Sequence, residues 1–324
     1  MKAVIVEQPG SASFLKLGQV PDVVPKADEL LVKVKYFGLN RMDILQRDGR
    51  YPVPPNVSPI LGVEFSGDVV TVPSNSKFKV GDRVFGLVYG GAYAEYVAIN
   101  EKMAMHIPQS LSYKEAAALP EVYFTALQAL IYIGKVKENE NVLIHAGASG
   151  VGTAAIQIAN ANIIVTAGSD EKIAYCKSLG ATSGINYKTT PEFGQQVLKE
   201  TGRGADFVLD FIGASYWKNN MEALAMDGRM VILGLMGGFK LPEVDISPFL
   251  RKRIQVSGST LRSRTVEYQA QLKEIFEKEL LPRIVSGELK PVIDREYSWN
   301  NIVDAHLHME ANGNIGKILV STDE

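Results

Sequence analysis

The residues best suited to chemistry crowd into one stretch, Asn141 to Ala159, which reads NVLIHAGASGVGTAAIQIA. An apolar run, Val142-Leu143-Ile144, meets the small residues Gly147-Ala148-Ser149-Gly150-Val151-Gly152, and a helical run opens with Thr153-Ala154-Ala155. That is strand, tight turn, helix. Glycine lets the backbone turn sharply and lets a pyrophosphate approach free N–H groups at the start of a helix, where the dipole favours negative charge. The dinucleotide fingerprint places glycine first, third and sixth, and the third place here is Ser149. The turn reads either as a phosphate cradle built from Ser149, Gly150, Val151 and Gly152 or as close packing between strand and helix.

Other chemistries find little support. The one cysteine, Cys176, rules out an intrachain disulfide and a multi-cysteine zinc site, and inside a helix it reads as buried and inert. His145, at a strand end, reads as a structural histidine, while His106, His306 and His308 fit surface or packing roles. There is no P-loop, and no G-x-S-x-G elbow, because the fifth place of Gly147-Ala148-Ser149-Gly150-Val151 is valine.

The elements that must position the glycine turn follow from the rest of the chain. With 324 residues there is room for two domains. The 46% hydrophobic and 22% charged content is ordinary for a globular protein, and a net charge of −2 gives no general attraction for nucleic acid or an acidic membrane. No apolar run approaches the roughly 18 to 20 residues of a membrane helix. The N-terminus reads as a first strand and turn rather than a signal peptide, and a cytoplasmic enzyme is the simplest reading.

From Met1 to about Ala118 the pattern is β-rich, with strands expected at Lys2 to Val6, Glu29 to Phe37, Glu64 to Val72, Arg83 to Leu87 and Tyr93 to Ile99. Pro9-Gly10, Asn75-Ser76 and Gly90-Gly91 separate them, and a partly closed β fold is the result. Ser112 and Glu115 make a capping box for a helix that resumes after Pro120 from Tyr123 to Ile133. Strands at Val142 to His145, Ile163 to Ala167, Gly184 to Asn186, Phe207 to Asp210, Met230 to Leu233 and Ile254 to Ser257 then alternate with helices. Six strands joined by crossovers make a doubly wound parallel sheet. A long helix from Glu267 to Glu279 follows, and Gly316 to Val320 reads as a strand returning to the N-terminal β domain.

Five stretches carry a likeness to a known family: Gly38-Leu39-Asn40-Arg41-Met42-Asp43, Leu61-Gly62-Val63-Glu64-Phe65-Ser66-Gly67, Gly81-Asp82-Arg83-Val84-Phe85-Gly86, Gly90-Gly91-Ala92-Tyr93-Ala94-Glu95-Tyr96, and His145 to Gly152. In them, and in their order, the chain resembles the zinc-free quinone oxidoreductases of the medium-chain dehydrogenase/reductase superfamily. The resemblance implies an α/β fold with an N-terminal GroES-like, partly open β-barrel domain (1–118 with 268–324, catalytic) and a doubly wound Rossmann domain (119–267, NADP-binding). The family's zinc-dependent alcohol dehydrogenases place a cysteine where this chain has Asn40 and a histidine where it has Val63, and neither replacement ligates zinc as those groups do. Without that Lewis acid, acceptors that take hydride readily, quinones and α,β-unsaturated carbonyls, are the better substrates.

The cofactor is read at the end of the second Rossmann strand, Ala167-Gly168-Ser169-Asp170-Glu171-Lys172. A carboxylate there holds a free ribose 2′-OH, whereas a cation or small polar pocket admits a 2′-phosphate. Gly168 stands where the NAD-selecting acid is expected, and the resemblance implies that Ser169, Lys172 and Tyr187 surround the phosphate of NADPH. The opposing reading has Ser169 and Asp170 capping the next helix, or Asp170 reaching the ribose. The resemblance further implies backbone contacts from Gly234, Leu235 and Met236 to the nicotinamide, and a cofactor contact from Asn314; Arg262 and Arg264 read either as approaching cofactor or substrate, with Arg264 favoured as a cofactor contact, or as making ordinary salt bridges.

At the reacting end, Asn40, Asp43 and Tyr51 match the family positions that line the substrate cleft between the two domains. Tyr51 is expected to donate a hydrogen bond to a quinone or enone oxygen and Asn40 to orient substrate or nicotinamide. Asp43 is expected to organise its loop rather than transfer a proton; Asn40 and Asp43 also fit the start of a nearby helix, and Tyr51 a packing role. The resulting expectation is an NADPH-dependent, zinc-independent quinone oxidoreductase acting on a small molecule, with no metal, nucleic acid or membrane partner. The resemblance implies a homodimer whose Rossmann sheets pair near Met236 to Pro242. The rivals are an alkenal or enoyl reductase of the same fold and a cofactor-binding structural or RNA-binding protein with little turnover.

Overall fold

The structure, a computed structural model, describes residues 1–55 and 57–323. The chain forms two compact units, residues 1–124 with 262–324 and residues 125–261. The sequence puts the changes of unit after Ala118 and before Tyr268. The compact units instead change after Phe124 and before Arg262. Side-chain anchoring accounts for the difference: Phe124 stacks edge-on against Phe276 at 5.3 Å, the Tyr123 hydroxyl donates to the Lys290 carbonyl, and Arg262 is tied to Tyr89 and Gln46.

The first unit opens with a hairpin-like pair, β1 (Lys2–Val6) and β2 (Leu15–Gln19), antiparallel with Val4 opposite Leu17. Next come β3 (Glu29–Gly38), β4 (Glu64–Thr71), β5 (Arg83–Leu87), β6 (Tyr96–Asn100) and β7 (Ala104–His106). In β3 the alternation is explicit, with Leu30, Val32 and Val34 buried and Lys33 exposed, which fixes one face to the core. The strand expected from Tyr93 begins only at Tyr96, because Tyr93 uses its N–H on Leu61 and its carbonyl on Val4. The helix Tyr113–Ala117 starts on the Ser112 and Glu115 capping box read from the sequence.

The second unit is the doubly wound sheet. Its strands are β8 (Asn141–Ile144), β9 (Asn162–Ala167), β10 (Ser183–Asn186), β11 (Ala205–Asp210), β12 (Leu224–Ile232) and β13 (Gln255–Gly258). All five neighbouring pairs are parallel and the spatial order is β10-β9-β8-β11-β12-β13. Strand order reverses between β8 and β11, and in open α/β sheets ligands bind beyond the carboxyl ends of the strands at such a point. Leu143, Ile164, Ile185, Val208 and Met230 from the strands pack with Phe193 and Val197 from the helix Phe193–Thr201.

The chain then returns to the first unit. The helix expected from Glu267 to Glu279 runs as Val266–Ile275 and widens into a looser turn at Phe276–Leu280. β14 (Ile293–Ser298) and β15 (Lys317–Ser321) complete a seven-stranded sheet, β14-β15-β3-β4-β5-β7, with β6 also paired to β3. β15 lies antiparallel to β3, so the last strand does rejoin the N-terminal sheet. Among the described residues no helix is long and apolar enough to cross a membrane.

Candidate active site

In the second unit, the turn after β8 carries Ala146 at φ +48°, a left-handed conformation that reverses the chain onto the helix Gly150–Ile158. A side chain at Gly152 would put its Cβ 2.5 Å from the carbonyl oxygens of Ala146 and Gly147, and one at Gly147 would meet Val165 at 2.7 Å. Ser149 replaces the fingerprint's middle glycine with a helix cap, its hydroxyl accepting the Gly152 N–H at 3.0 Å. The N–H groups of Gly150 and Val151 find no acceptor among the described residues, and both residues are half-buried. Two donors at a positive helix end, with no side chain in the way, form the cradle that a pyrophosphate needs.

Beneath this turn His145 is fully buried, its ring nitrogens engaged by Thr166 at 2.9 Å and by the Asn220 side-chain oxygen at 2.7 Å. Burial pushes its pKa down to about 4, which keeps it a neutral structural residue. Cys176 is buried too, and desolvation raises its thiol to about 11. Elsewhere His106 is exposed, His308 bonds Tyr297, and His306 is buried against Arg47 and held to about 3 by burial and that cation.

The end of β9 brings together most of the residues expected around a 2′-phosphate. A Cβ at Gly168 would stand 2.7 Å from the Tyr187 hydroxyl oxygen and 3.4 Å from Lys188 Cε, so a side chain there would crowd both. Ser169 caps the helix Asp170–Ser178 through the Lys172 N–H. Asp170, which the opposing reading has reaching the ribose, accepts a hydrogen bond from Asn186 at 2.9 Å. Lys188 was not singled out by the sequence. Its signal was its place beside Tyr187, just past the end of β10.

Of the segment after β12, Gly234 packs on the Phe211 carbonyl, where a Cβ would lie at 2.9 Å. The Met236 N–H is engaged by that same carbonyl at 3.2 Å, so Met236 has no N–H to offer a nicotinamide amide. Leu235 and Met236 are about half exposed. Arg264 and Asn314 belong to the first unit. There the Arg264 guanidinium stacks on Tyr268 at 4.6 Å and Asn314 donates to the Gly316 carbonyl at 2.7 Å.

The first unit also holds the residues expected to meet the substrate. Asp43, at the start of the helix Arg41–Arg47, accepts from the Asn40 N–H at 2.8 Å, the Tyr93 hydroxyl at 3.1 Å and the Gly62 N–H at 3.3 Å. Gly62 sits at φ +91°, and a Cβ there would strike the Tyr93 ring at 2.3 Å. Asp43 therefore ties three chain segments together, while burial pushes its carboxyl up to about 6. Asn40 is committed at both ends of its amide, donating to Glu64 Oε1 at 2.9 Å and accepting from Lys317 Nζ at 2.8 Å. Lys317 also donates to Glu64 and to the Leu39 carbonyl, and the other Glu64 oxygen accepts the Glu121 N–H at 2.9 Å. Glu64, Lys317 and Glu121 are all buried, and burial together with the Glu64 carboxylate raises Glu121 to about 8. None of these three was expected from the sequence, because they arrive from stretches far apart in the chain.

Tyr51 is half-buried, with the Arg262 guanidinium 5.4 Å from its ring centroid. Burial raises its hydroxyl pKa against the pull of Arg262, so it stays a hydrogen-bond donor at neutral pH. Arg262 is 3% exposed. Its Nε donates to the Tyr89 carbonyl and its Nη1 to Gln46 Oε1, each at 2.7 Å.

Zinc does not fit this chemistry. Asn40 offers an amide already held by an ammonium, Val63 has no ligating atom, and the Lys317 cation would oppose a second one. Among the described residues no cluster of three or more histidine, cysteine or carboxylate side chains is arranged to hold a metal.

The domain family described as "Alcohol dehydrogenase GroES-like domain" matches residues 26–109, and "Zinc-binding dehydrogenase" matches residues 150–277. Together they define an oxidoreductase of the medium-chain dehydrogenase/reductase class. Human quinone oxidoreductase is 31% identical over 328 residues, 99% of this chain and 97% of its own. The Escherichia coli quinone oxidoreductase complexed with NADPH superposes with a TM-score of 0.88 at 27% identity, over 99% of this chain and 100% of that one. CurK enoyl reductase superposes at 0.85 and 28% identity, over 99% and 98%. The chain belongs to the quinone oxidoreductase family of that superfamily.

Proposed function

We propose that this enzyme uses NADPH to reduce quinones without zinc. NADPH supplies a hydride when bound. The second unit is the NADPH-binding domain: the N–H groups of Gly150 and Val151 take the pyrophosphate, and Ser169, Lys172, Tyr187 and Lys188, gathered about Gly168, take the 2′-phosphate. The likeness to a quinone oxidoreductase complexed with NADPH supports that assignment. Gly234 and Leu235 border the nicotinamide, and Arg264 and Asn314 add contacts to the cofactor. The first unit is the catalytic domain, where Tyr51 donates to the acceptor's oxygen and Asn40 and Asp43 hold the surrounding loops in place.

One observation carries the choice of substrate: an ammonium, Lys317, touches the residue that stands where zinc alcohol dehydrogenases hold their metal. A site arranged in that way favours acceptors that are electrophilic without a Lewis acid. The CurK likeness keeps an enoyl reductase as the second reading, in which hydride goes to a β-carbon and a proton to the α-carbon. Leu235, Met236, Phe239, Ile246 and Leu250 are exposed on the second unit and support a homodimer through that face; a monomer in sedimentation at micromolar concentration would remove it.

The test is consumption of NADPH, followed at its nicotinamide absorbance, with 1,2-naphthoquinone or an alkenal as acceptor and NADH in parallel. Quinone turnover that prefers NADPH and withstands a chelator is expected. A charge-assisted contact is worth about 1.5 to 3 kcal/mol, so Lys172→Ala should cut the preference for NADPH over NADH about tenfold to a hundredfold. Alkenal turnover without quinone turnover would put the enoyl reductase reading first.

A further inference from the structure

We infer that Arg262 is a catalytic residue: its Nη2–H is the donor that receives the negative charge formed on the acceptor's oxygen, beside the Tyr51 hydroxyl. The inference rests on the reductase reading above and goes beyond it by naming the electrophile. Three observations lead there.

Arg262 is a buried cation whose Nε and Nη1 are held by two neutral acceptors, the Tyr89 carbonyl and the Gln46 amide oxygen. Its Nη2 is buried and finds no acceptor among the described residues. A buried guanidinium with an unused donor is costly until an acceptor arrives; Asp43 and Glu121 act on Arg262 through their charge, but neither accepts from Nη2. Second, Nη2 lies close to Gly90: a Cβ there would stand 3.2 Å from that nitrogen and 2.9 Å from the Ser58 carbonyl oxygen, so a larger residue would crowd the unused donor. Third, the guanidinium lies 5.4 Å from the Tyr51 ring centroid and interacts with its hydroxyl, so the two groups sit side by side.

The planar fork explains the choice of arginine. Nε and Nη1 fix the group rigidly, and the third donor is aimed without further ordering, which a lysine cannot reproduce. Donors held in place before charge develops stabilise the transition state more than the ground state. The acceptor takes two electrons and one hydrogen as hydride from NADPH, which leaves as NADP⁺. Its oxygen then carries one negative charge, opposite Arg262, until a proton from water converts quinolate to quinol.

The experiment compares wild type with Arg262→Lys and Arg262→Ala, reading kcat and KM for a series of quinones and, separately, the Kd for NADPH. Removing an oxyanion donor typically lowers kcat by about a hundredfold to a thousandfold, and that loss is expected here with the NADPH Kd unchanged. The loss should grow as the quinol product becomes more basic, and added guanidinium ion should restore part of the Arg262→Ala rate. A purely structural role would lower all acceptors alike and give no rescue. Folded variants that keep their kcat would overturn the inference while wild-type turnover left the reductase reading intact; absence of wild-type quinone turnover would remove both.

If the variants do not fold, wild type with NADP⁺ and 4-nitrophenol decides. The inference expects binding as the phenolate, with the probe's pKa lowered by its visible spectrum, and competition by quinone. Binding as the neutral phenol, or none, overturns it.

Discussion

The turn after β8 and the charged cluster behind Asn40 both hold polar groups in fixed positions, by opposite means. At the turn the donors are backbone N–H groups of consecutive residues, and glycine is required because neighbouring atoms come within 2.5 Å of where a Cβ would be. In the cluster the groups are long side chains, Asp43, Glu64, Glu121, Arg262 and Lys317, drawn from five separate segments and buried. A site made from the backbone needs only local geometry. A site made from buried side chains needs the whole unit folded around it, and each charge in it must find a partner.

If that contrast is right, the cluster should be the more fragile in stability. Lys317→Met leaves the fully buried Glu64 carboxylate without its cation and should cost about 3 to 5 kcal/mol in urea unfolding. Adding Glu64→Gln should recover much of the loss. A single-variant loss below about 1 kcal/mol would mean the pair is not the cluster's support.

The turn should instead fail first in binding. Gly152→Val forces a Cβ into two backbone carbonyls and should cost about 1 to 3 kcal/mol of stability, with NADPH affinity, read by fluorescence titration, falling at least about a hundredfold. Unchanged affinity would detach the turn from the cofactor.

The smallest effect concerns Glu121, which faces the carboxylates of Glu64 and Asp43 and the cations of Lys317 and Arg262. Its folded pKa, about 8, lies above the ordinary 4.5. Between those values the unfolded chain releases the proton and the folded chain does not, so stability falls as pH rises through that window. Glu121→Gln escapes this loss and should gain about 2 to 4 °C in Tm over wild type at pH 8.5, with the gain absent at pH 5. A constant difference across pH would show that the proton is not held there.

The same contrast explains what could be read from the chain. The glycine turn, the Ser112 and Glu115 capping box and the six parallel strands are local patterns, and the structure has all of them. β14 escaped notice because it is largely exposed, with no alternation for a pattern to report. Asn40 was legible as a site position, but its commitment to Glu64 and Lys317 was not. That depends on β15 pairing with β3, which brings the last strand of the chain beside the third. Lys188 went unread for a lesser reason: its Cε approaches Gly168 only because β10 and β9 are paired in register.

The single cysteine gains meaning from its surroundings. Quinones and enones, the acceptors proposed for this enzyme, alkylate thiolates, and an enzyme that reduces them risks being arylated by its own substrate. Cys176 lies behind the turn after β8 with no exposed surface, and burial raises its thiol pKa to about 11. The chain thus offers such electrophiles no ready sulfur nucleophile, a form of self-protection written into its packing.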